Sequence, residues 1–197
     1  MNNYDLIKDY MSSRISRILF ASSESEARAS LANLRRGIGR TPGELPELWG
    51  DFLLGMPEEL YGKGNVVSHA EWAVYISLTL FALHQQGKDR KNMPMHKNGI
   101  SLGKATNCLI KDEDSDRTRI ARRFYSAATA KDMTELAYHL RGLVTLLRTD
   151  GIPLDYVMLA CDLYSFRDPD KREKVLLRWG EDFCRLRMNN DEDKTNE

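Results

Sequence analysis

The chain has 197 residues, a length that suits one domain or two small packed lobes. Its 29 Lys and Arg residues balance 29 Asp and Glu residues, and this zero net charge excludes a globally basic nucleic-acid binder but not a locally basic one. No apolar run approaches the roughly 20 residues that span a bilayer, the first residues do not resemble a signal peptide, and the cysteines are widely spaced. We therefore expect a cytoplasmic protein with reduced cysteines and no membrane contact.

Helical periodicity dominates the first part of the chain. A helix is predicted over residues 4–20, and a second begins at Ser23, which has a Glu three positions later as in a capping box, and ends at Gly37. The third begins at Ser68 with the same spacing to a Glu. Ten of the twelve residues in 72–83 are apolar, so this helix should be covered on nearly all sides.

The same pattern continues in the second part of the chain. Asp132 is predicted to cap a long amphipathic helix that ends at Gly151, and Asp168 followed by Pro is predicted to begin the last helix. Further helices are predicted over residues 101–109, 115–128 and 154–165. No stretch shows the alternation of a β-strand.

These elements predict an all-α fold, a compact bundle of about eight or nine helices in two packed lobes. The predicted domain covers residues 3–188, with lobes over roughly 3–88 and 99–188. The polar segment 88–99 is interpreted as an exposed linker between the lobes. Residues 189–197 are acidic and lack apolar groups, which predicts a disordered tail.

Charge is segregated along this neutral chain. Residues 14–40 hold six bases and two acids, residues 88–123 hold ten bases and five acids, and residues 41–60 hold five acids and no base. Such segregation is what a surface that follows a phosphate backbone needs. In the acidic segment, Trp49 and Phe52 are expected mainly to cover the core, with a contact surface for a partner as the alternative.

Arginines repeat at helical spacing in both basic segments. Arg119, Arg122 and Arg123 share one side of a predicted helix, and Arg28 and Arg35 are two turns apart on another. Guanidinium groups donate two hydrogen bonds at once to phosphate oxygens and stack on bases, so these faces are candidates for nucleic-acid binding. The alternative is a solvated face whose arginines pair with nearby acids or stabilise the end of a helix.

Candidate catalytic and metal motifs are incomplete. His69 and Glu71 have the H-x-E spacing of zinc deaminases, but the cysteine pair that completes such a site is missing. The segment 99–104 has one residue too few between its glycines for a phosphate loop. Cys161 and Cys184 are interpreted as small core residues. We expect no catalytic residues, no metal and no cofactor.

Ordered blocks along the chain resemble a known family. They are LANLRRGIGRTPGELPELWGDF, HAEWAVYISLTLFALHQQG, MHKNGISLGKA and HLRGLVTLLRTDGIPLDYVMLACDLYSF, followed by RWGEDF in the last helix. Their order resembles the CasB family, the small subunits of the type I-E CRISPR surveillance complex Cascade. The resemblance implies a non-catalytic, all-helical protein, present as a homodimer beside the crRNA-bearing subunits, that helps to hold the displaced non-target DNA strand of the R-loop.

The resemblance also implies which basic residues contact nucleic acid. It points to the LRR block, the GISLGK block, the basic pair before Phe124 and the turn that follows this helix, while the helical-face argument adds two arginines. The eight candidates are Arg35, Arg36, Lys104, Arg119, Arg122, Arg123, Lys131 and Arg141. The alternative function is a helical protein–protein adaptor whose arginines pair with acidic partners and do not bind nucleic acid.

Overall fold

A computed structural model describes residues 2–64, 66–112 and 115–185. Within these ranges the chain forms nine α-helices and no strand, which confirms the all-α prediction. The helices are α1 (Asn3–Leu19), α2 (Glu24–Arg36), α3 (Trp49–Phe52), α4 (His69–His84), α5 (Leu102–Asn107), α6 (Asp116–Ala128), α7 (Met133–Asp150), α8 (Tyr156–Ser165) and α9 (Pro169–Cys184). Two short 3₁₀ turns, Pro46–Leu48 and Glu58–Leu60, flank α3.

The predicted helix starts are set by side-chain caps. Ser23, Ser68, Asp132 and Asp168 each accept a hydrogen bond from a backbone N–H in the first turn of the helix that follows. At Ser68 the capping box is complete, because Glu71 also accepts the Ser68 N–H at 2.7 Å. Gly151 ends α7 in the left-handed conformation, with φ of 67°.

Helix α4 lies at the centre of the bundle. Most of its residues are buried, as the run of apolar side chains predicts, and it packs against α1, α2, α7 and α8. Helix α1 also packs directly on α8, and α5 packs on α9. Buried apolar side chains from all of these helices form one continuous hydrophobic core.

The segment 88–99, which is predicted to be an exposed linker, is exposed at most of its positions but buries two side chains. Arg90 is 5% exposed and Met95 is 2% exposed, so the segment is anchored in the fold rather than free in solvent. Its end is fixed by a bridge between His96 and Leu154, in which the N–H of Leu154 donates to Met95 O at 3.0 Å. The sequence does not show this anchoring, because a polar segment gives no sign that its guanidinium group finds several buried acceptors. The predicted tail 189–197 lies outside the described residues.

Two other predictions are corrected by the direction of individual side chains. Phe52 is buried as expected, but Trp49, which begins α3, is 51% exposed. Cys161 is buried, whereas Cys184 is exposed. The buried stripe of α9 contains Val175, Trp179 and Phe183, and Cys184 follows one position later on a different side of the helix. No helix in the described part of the chain has the length and apolar character needed to cross a membrane.

Candidate nucleic-acid interface

The fold brings the two basic segments of the sequence together in one cleft. Arg28 and Arg35 of α2 line one side, and Lys88, Arg90 and Lys91 from the turn after α4 line the other side. We call this depression, which measures about 690 Å³, the α2 cleft. It forms because α2 buries Leu31 and Leu34 against α4, whose last turn then leads the chain back past α2.

The turn that carries the lysines is held by two side chains. Gln85 is buried; its Nε2 donates to Lys88 O and Met93 O, both at 3.2 Å, and its Oε1 accepts the Met95 N–H at 2.9 Å. Asp89 accepts the N–H groups of Asn92 and Lys91 at 2.9 and 2.8 Å, and these bonds lower the pKa of its carboxyl group. The positions of Lys88 and Lys91 therefore follow from a well-bonded turn.

Not every cation of the α2 cleft is free to bind a ligand. Arg90 donates to the carbonyl oxygens of Ile18, Leu19 and Ala21 and to Glu24 Oε2, the last at 2.8 Å. Arg28 pairs with the same Glu24 at 3.1 Å. The pKa of Glu24 is lowered, first by the hydrogen bond from Arg90. Arg90 is thus a structural group and Arg28 is already paired.

Three cations of the α2 cleft form no ion pair with a residue that the structure describes. Lys88 and Lys91 form no ion pair with any residue in the described ranges. Arg35 is half-buried and donates to Ala82 O at 3.4 Å, and burial lowers its pKa from the usual value of arginine. A phosphate bound in this cleft would offset the positive charge of Arg35, which is partly removed from water. It would also accept hydrogen bonds from the two lysines.

A second basic cleft lies on α6. Ile120, Phe124 and Ala127 are buried, so the opposite side of the helix presents Arg119, Arg122 and Arg123 to solvent. The three arginines line, with serine and threonine side chains, a depression of about 430 Å³ that we call the α6 cleft. The shared face predicted from their spacing is therefore present.

The arginines of the α6 cleft differ in their partners. Arg119 pairs with Asp116 at 2.7 Å, and its hydrogen bond is the first cause of the lowered pKa of Asp116. Arg122 and Arg123 form no ion pair among the described residues. Nη1 of Arg123 lies 3.9 Å from the position that a Cβ on Gly142 would occupy, so this guanidinium group rests beside α7. Two unpaired cations therefore remain exposed on one helix.

The other predicted residues lie outside these two clefts. Arg36 pairs with Glu47 at 3.2 Å, and Lys104, at the start of α5, donates to Gly99 O at 3.4 Å. Lys131 is exposed in the turn before α7, beside a separate recess. Arg141 is exposed on α7 near the loop that follows α2, without an ion pair among the described residues. The eight candidates thus do not form one continuous track.

Sequence reasoning did not select Lys88 and Lys91. The only signal was the basic segment that begins at Lys88, and the sequence does not show that this turn folds back on α2. Glu71 of the H-x-E motif accepts backbone N–H groups as part of the helix cap, so it is not placed as the proton-transfer group of a zinc deaminase. Among the residues that the structure describes, no group of three or more His, Cys, Asp or Glu side chains is placed to hold a metal ion.

The fold and the clefts define a class: an all-helical protein of zero net charge whose surface carries separate basic clefts. The model of the family CRISPR-associated protein Cse2 matches residues 30–183. The chain therefore belongs to the Cse2 family, in which the resemblance to CasB also places it.

Two solved structures share the fold of this chain. The crystal structure of CasB from Thermobifida fusca is 34% identical in sequence, with a TM-score of 0.74, and the match covers 90% of this chain and 97% of that one. A Cse2 family protein from Thermus thermophilus has the same fold, with a TM-score of 0.63 at 20% identity over 93% of this chain and 98% of that one. A search of curated proteins found no match.

Proposed function

We propose that the chain is a non-catalytic small subunit of a type I-E CRISPR RNA-guided complex, Cascade. In this role it binds the displaced non-target DNA strand of the R-loop through phosphate contacts. It lies beside the crRNA-bearing subunits and a second copy of itself. Membership of the Cse2 family and the likeness to CasB support the assignment to the complex.

One observation carries the proposal that the protein binds nucleic acid. In a protein with zero net charge, four cations of the two clefts form no ion pair among the described residues: Arg122 and Arg123 in the α6 cleft, and Lys88 and Lys91 in the α2 cleft. Concentrating unpaired cations in clefts attracts phosphate, while a neutral chain limits non-specific attraction elsewhere.

This chemistry fits the energetics of an R-loop. Guide–target pairing replaces a DNA duplex of similar stability, so the exchange is nearly balanced and backbone contacts to the strands shift it. Such contacts need cations that bind phosphate whatever the base sequence, because guide–target pairing reads the sequence. They need no catalytic group.

A salt series with single-stranded DNA tests the proposal. We expect a fluorescein-labelled oligothymidylate to bind the purified protein, with an affinity that falls steeply as NaCl increases in anisotropy measurements. The double variant Arg122→Ala, Arg123→Ala should bind more weakly, and the slope of log K against log salt should fall by about 0.7 for each lost contact.

The matched control removes two cations that are already paired outside both clefts. Lys111 pairs with Asp150 at 2.9 Å and Lys171 pairs with Asp168 at 3.5 Å. The variant Lys111→Ala, Lys171→Ala has the same net charge as the arginine variant and should retain the wild-type slope. Equal slopes in the two double variants would show that net charge, rather than the α6 cleft, governs binding.

The adaptor function remains the second candidate, and the exposed Trp49 in the acidic segment 41–60 favours it. An exposed aromatic side chain among acids is typical of a surface for a basic partner protein. An adaptor would not bind single-stranded DNA even at low salt. It would instead be retained by purified Cascade subunits, and Trp49→Ala would abolish this retention.

A further inference from the structure

A third depression lies between α4, α7 and the loop of residues 37–41. It measures about 170 Å³, and we call it the α7 recess. Tyr75, Ile76 and Leu80 of α4 are buried and form its inner part together with Ala137 of α7. Tyr138 also lines the recess but is 73% exposed, so this ring stands at the mouth.

The recess is held open by close packing of the loop. The hydroxyl of Tyr75 donates to Gly37 O at 2.9 Å. A Cβ at Gly37 would stand 2.6 Å from that hydroxyl oxygen and 2.7 Å from Cδ1 of Leu48. Only glycine allows the loop to come this close to α4, and the recess is therefore formed before any ligand arrives.

The mouth of the recess combines an exposed ring with a free cation. Arg141 lies three positions after Tyr138 on α7, one turn away, and forms no ion pair among the described residues. On the opposite rim, Arg40 is paired with Glu44 at 2.6 Å. An apolar recess with an aromatic ring and a guanidinium group at its entrance suits a ligand that is planar and carries an adjacent negative charge.

The position of the recess connects it to the α6 cleft. Gly142, which follows Arg141, is the residue beside which the guanidinium group of Arg123 lies. Helix α7, which carries Tyr138 and Arg141, therefore also lies beside Arg123 of the α6 cleft. A strand held by its phosphates on α6 would reach the mouth of the recess by crossing this helix.

We propose that the α7 recess binds one unpaired nucleobase of this strand, with Tyr138 stacking on the base and Arg141 holding the neighbouring phosphate. This inference rests on the proposed function, since the base belongs to the single strand of the α6 cleft. The recess is smaller than the roughly 300–1,000 Å³ of drug-sized sites, which fits a single planar ring system.

The recess is built to accept a base without reading it. The hydroxyl of Tyr75 is committed to Gly37 O, and the hydroxyl of Thr79 is committed to Tyr75 O at 2.9 Å. These two hydroxyl groups therefore have no proton left to donate to the edge of a base. Stacking tolerates any base because every base has a π-face, so the site adds affinity without sequence preference.

Two oligomers of equal length and charge test the proposal on the full chain. One is fluorescein-labelled oligothymidylate, and the other replaces every nucleoside by an abasic sugar. We expect the wild type to prefer the first by about 5- to 150-fold, the range that corresponds to stacking of one base. Tyr138→Ala, or Ala137→Leu, which fills the recess, should remove most of this preference, and Tyr138→Phe should keep it.

The abasic oligomer serves as the control for folding and for phosphate binding. Its affinity and its salt dependence should be the same in the wild type and in all recess variants. Ala29→Leu, a matched enlargement of an exposed alanine on α2, should leave both oligomers unaffected.

The possible failures are distinguishable. Equal affinity of the wild type for the two oligomers would overturn the base site and leave the phosphate contacts of the proposed function in place. Absence of binding to both oligomers at low salt would overturn both proposals. A parallel loss of affinity for both oligomers in Tyr138→Ala would show a structural role for the ring and overturn its role in stacking.

Discussion

Arg90 donates to Glu24 at 2.8 Å, and this contact joins the turn after α4 to the first residue of α2. The guanidinium group is buried while the carboxylate is half-exposed. The other hydrogen bonds of Arg90 go to carbonyl oxygens at the end of α1, so a single side chain connects three helices. The pair also fixes the relative position of the two sides of the α2 cleft.

Replacing Arg90 should destabilise the fold. In Arg90→Ala the carbonyl groups at the end of α1 lose their donors, and unsatisfied buried acceptors of this kind each cost about 1–3 kcal/mol. We expect the free energy of unfolding in urea to fall by about 3 kcal/mol. Lys91→Ala, at the exposed neighbouring position, should change it by less than about 0.5 kcal/mol. Equal effects of the two changes would contradict the assigned role of Arg90.

His84 should make stability depend on pH. It is fully buried with Nδ1 2.9 Å from the Tyr156 hydroxyl, and burial lowers its pKa from 6.5 to about 4. The folded state therefore keeps His84 neutral at pH values where the unfolded chain binds a proton. The contribution of neutral His84 to the free energy of unfolding is fully present above pH 6.5. It is lost as the pH falls to about 4, and the total loss is about 3 kcal/mol.

Urea denaturation across this pH range checks the role of His84. His84→Gln should be less stable than the wild type near neutral pH, but its stability should decline less between pH 6.5 and about 4. If the two proteins lose stability in parallel over this range, His84 is not the group responsible.

Gly103 on α5 and Gly180 on α9 should respond in opposite ways to alanine. A Cβ at Gly103 would collide with the carbonyl oxygen of Trp179 and stand 2.9 Å from Cβ of Asp182, whereas a Cβ at Gly180 meets nothing within 4 Å. Gly103→Ala should lower the free energy of unfolding by about 1–3 kcal/mol, because backbone must move. Gly180→Ala should raise it by up to about 1 kcal/mol, because alanine is the better helix former. Thermal denaturation of both variants provides the comparison.

Removing the free lysines of the α2 cleft should weaken DNA binding without affecting the fold. In Lys88→Ala, Lys91→Ala, two cations without ion pairs among the described residues are lost. The affinity for oligothymidylate and for single strands of other sequence should therefore fall by the same factor. The salt slope should decrease by about 0.7 for each contact, and the urea midpoint should remain that of the wild type. The paired-lysine variant Lys111→Ala, Lys171→Ala is again the control, and a slope equal to that control would exclude the α2 cleft from the binding surface.

Local features of the fold could be predicted from the sequence because short-range rules govern them. Ser23, Ser68, Asp132 and Asp168 begin helices since their side chains accept N–H groups only a few residues away. The shared face of Arg119, Arg122 and Arg123 follows from helical geometry alone. The blocks that resemble CasB led to the correct family.

Features that depend on packing between distant segments could not be predicted in this way. The approach of Lys88 to Arg35 depends on how α2 lies on α4, and the burial of Arg90 depends on acceptors some 70 positions earlier. Trp49 and Phe52 are both apolar neighbours on a short helix, and their sequence does not show which of them faces the core. The ion pair between Arg36 and Glu47 likewise occupies a residue that the sequence offers as a candidate for nucleic-acid binding. The sequence alone does not show this pairing.

The packing of α1 on α8 has a consequence for how the protein is made. The carbonyl of Tyr4 lies 4.0 Å from Sγ of Cys161, a residue that follows 157 positions later. During synthesis the part of α1 that packs on α8 therefore lacks its native cover until α8 has left the ribosome, although α2 and α4 can contact α1 earlier. Contacts this distant in sequence slow folding, because a long loop must close before they form. The burial of α1 is thus completed only after α8 has been made.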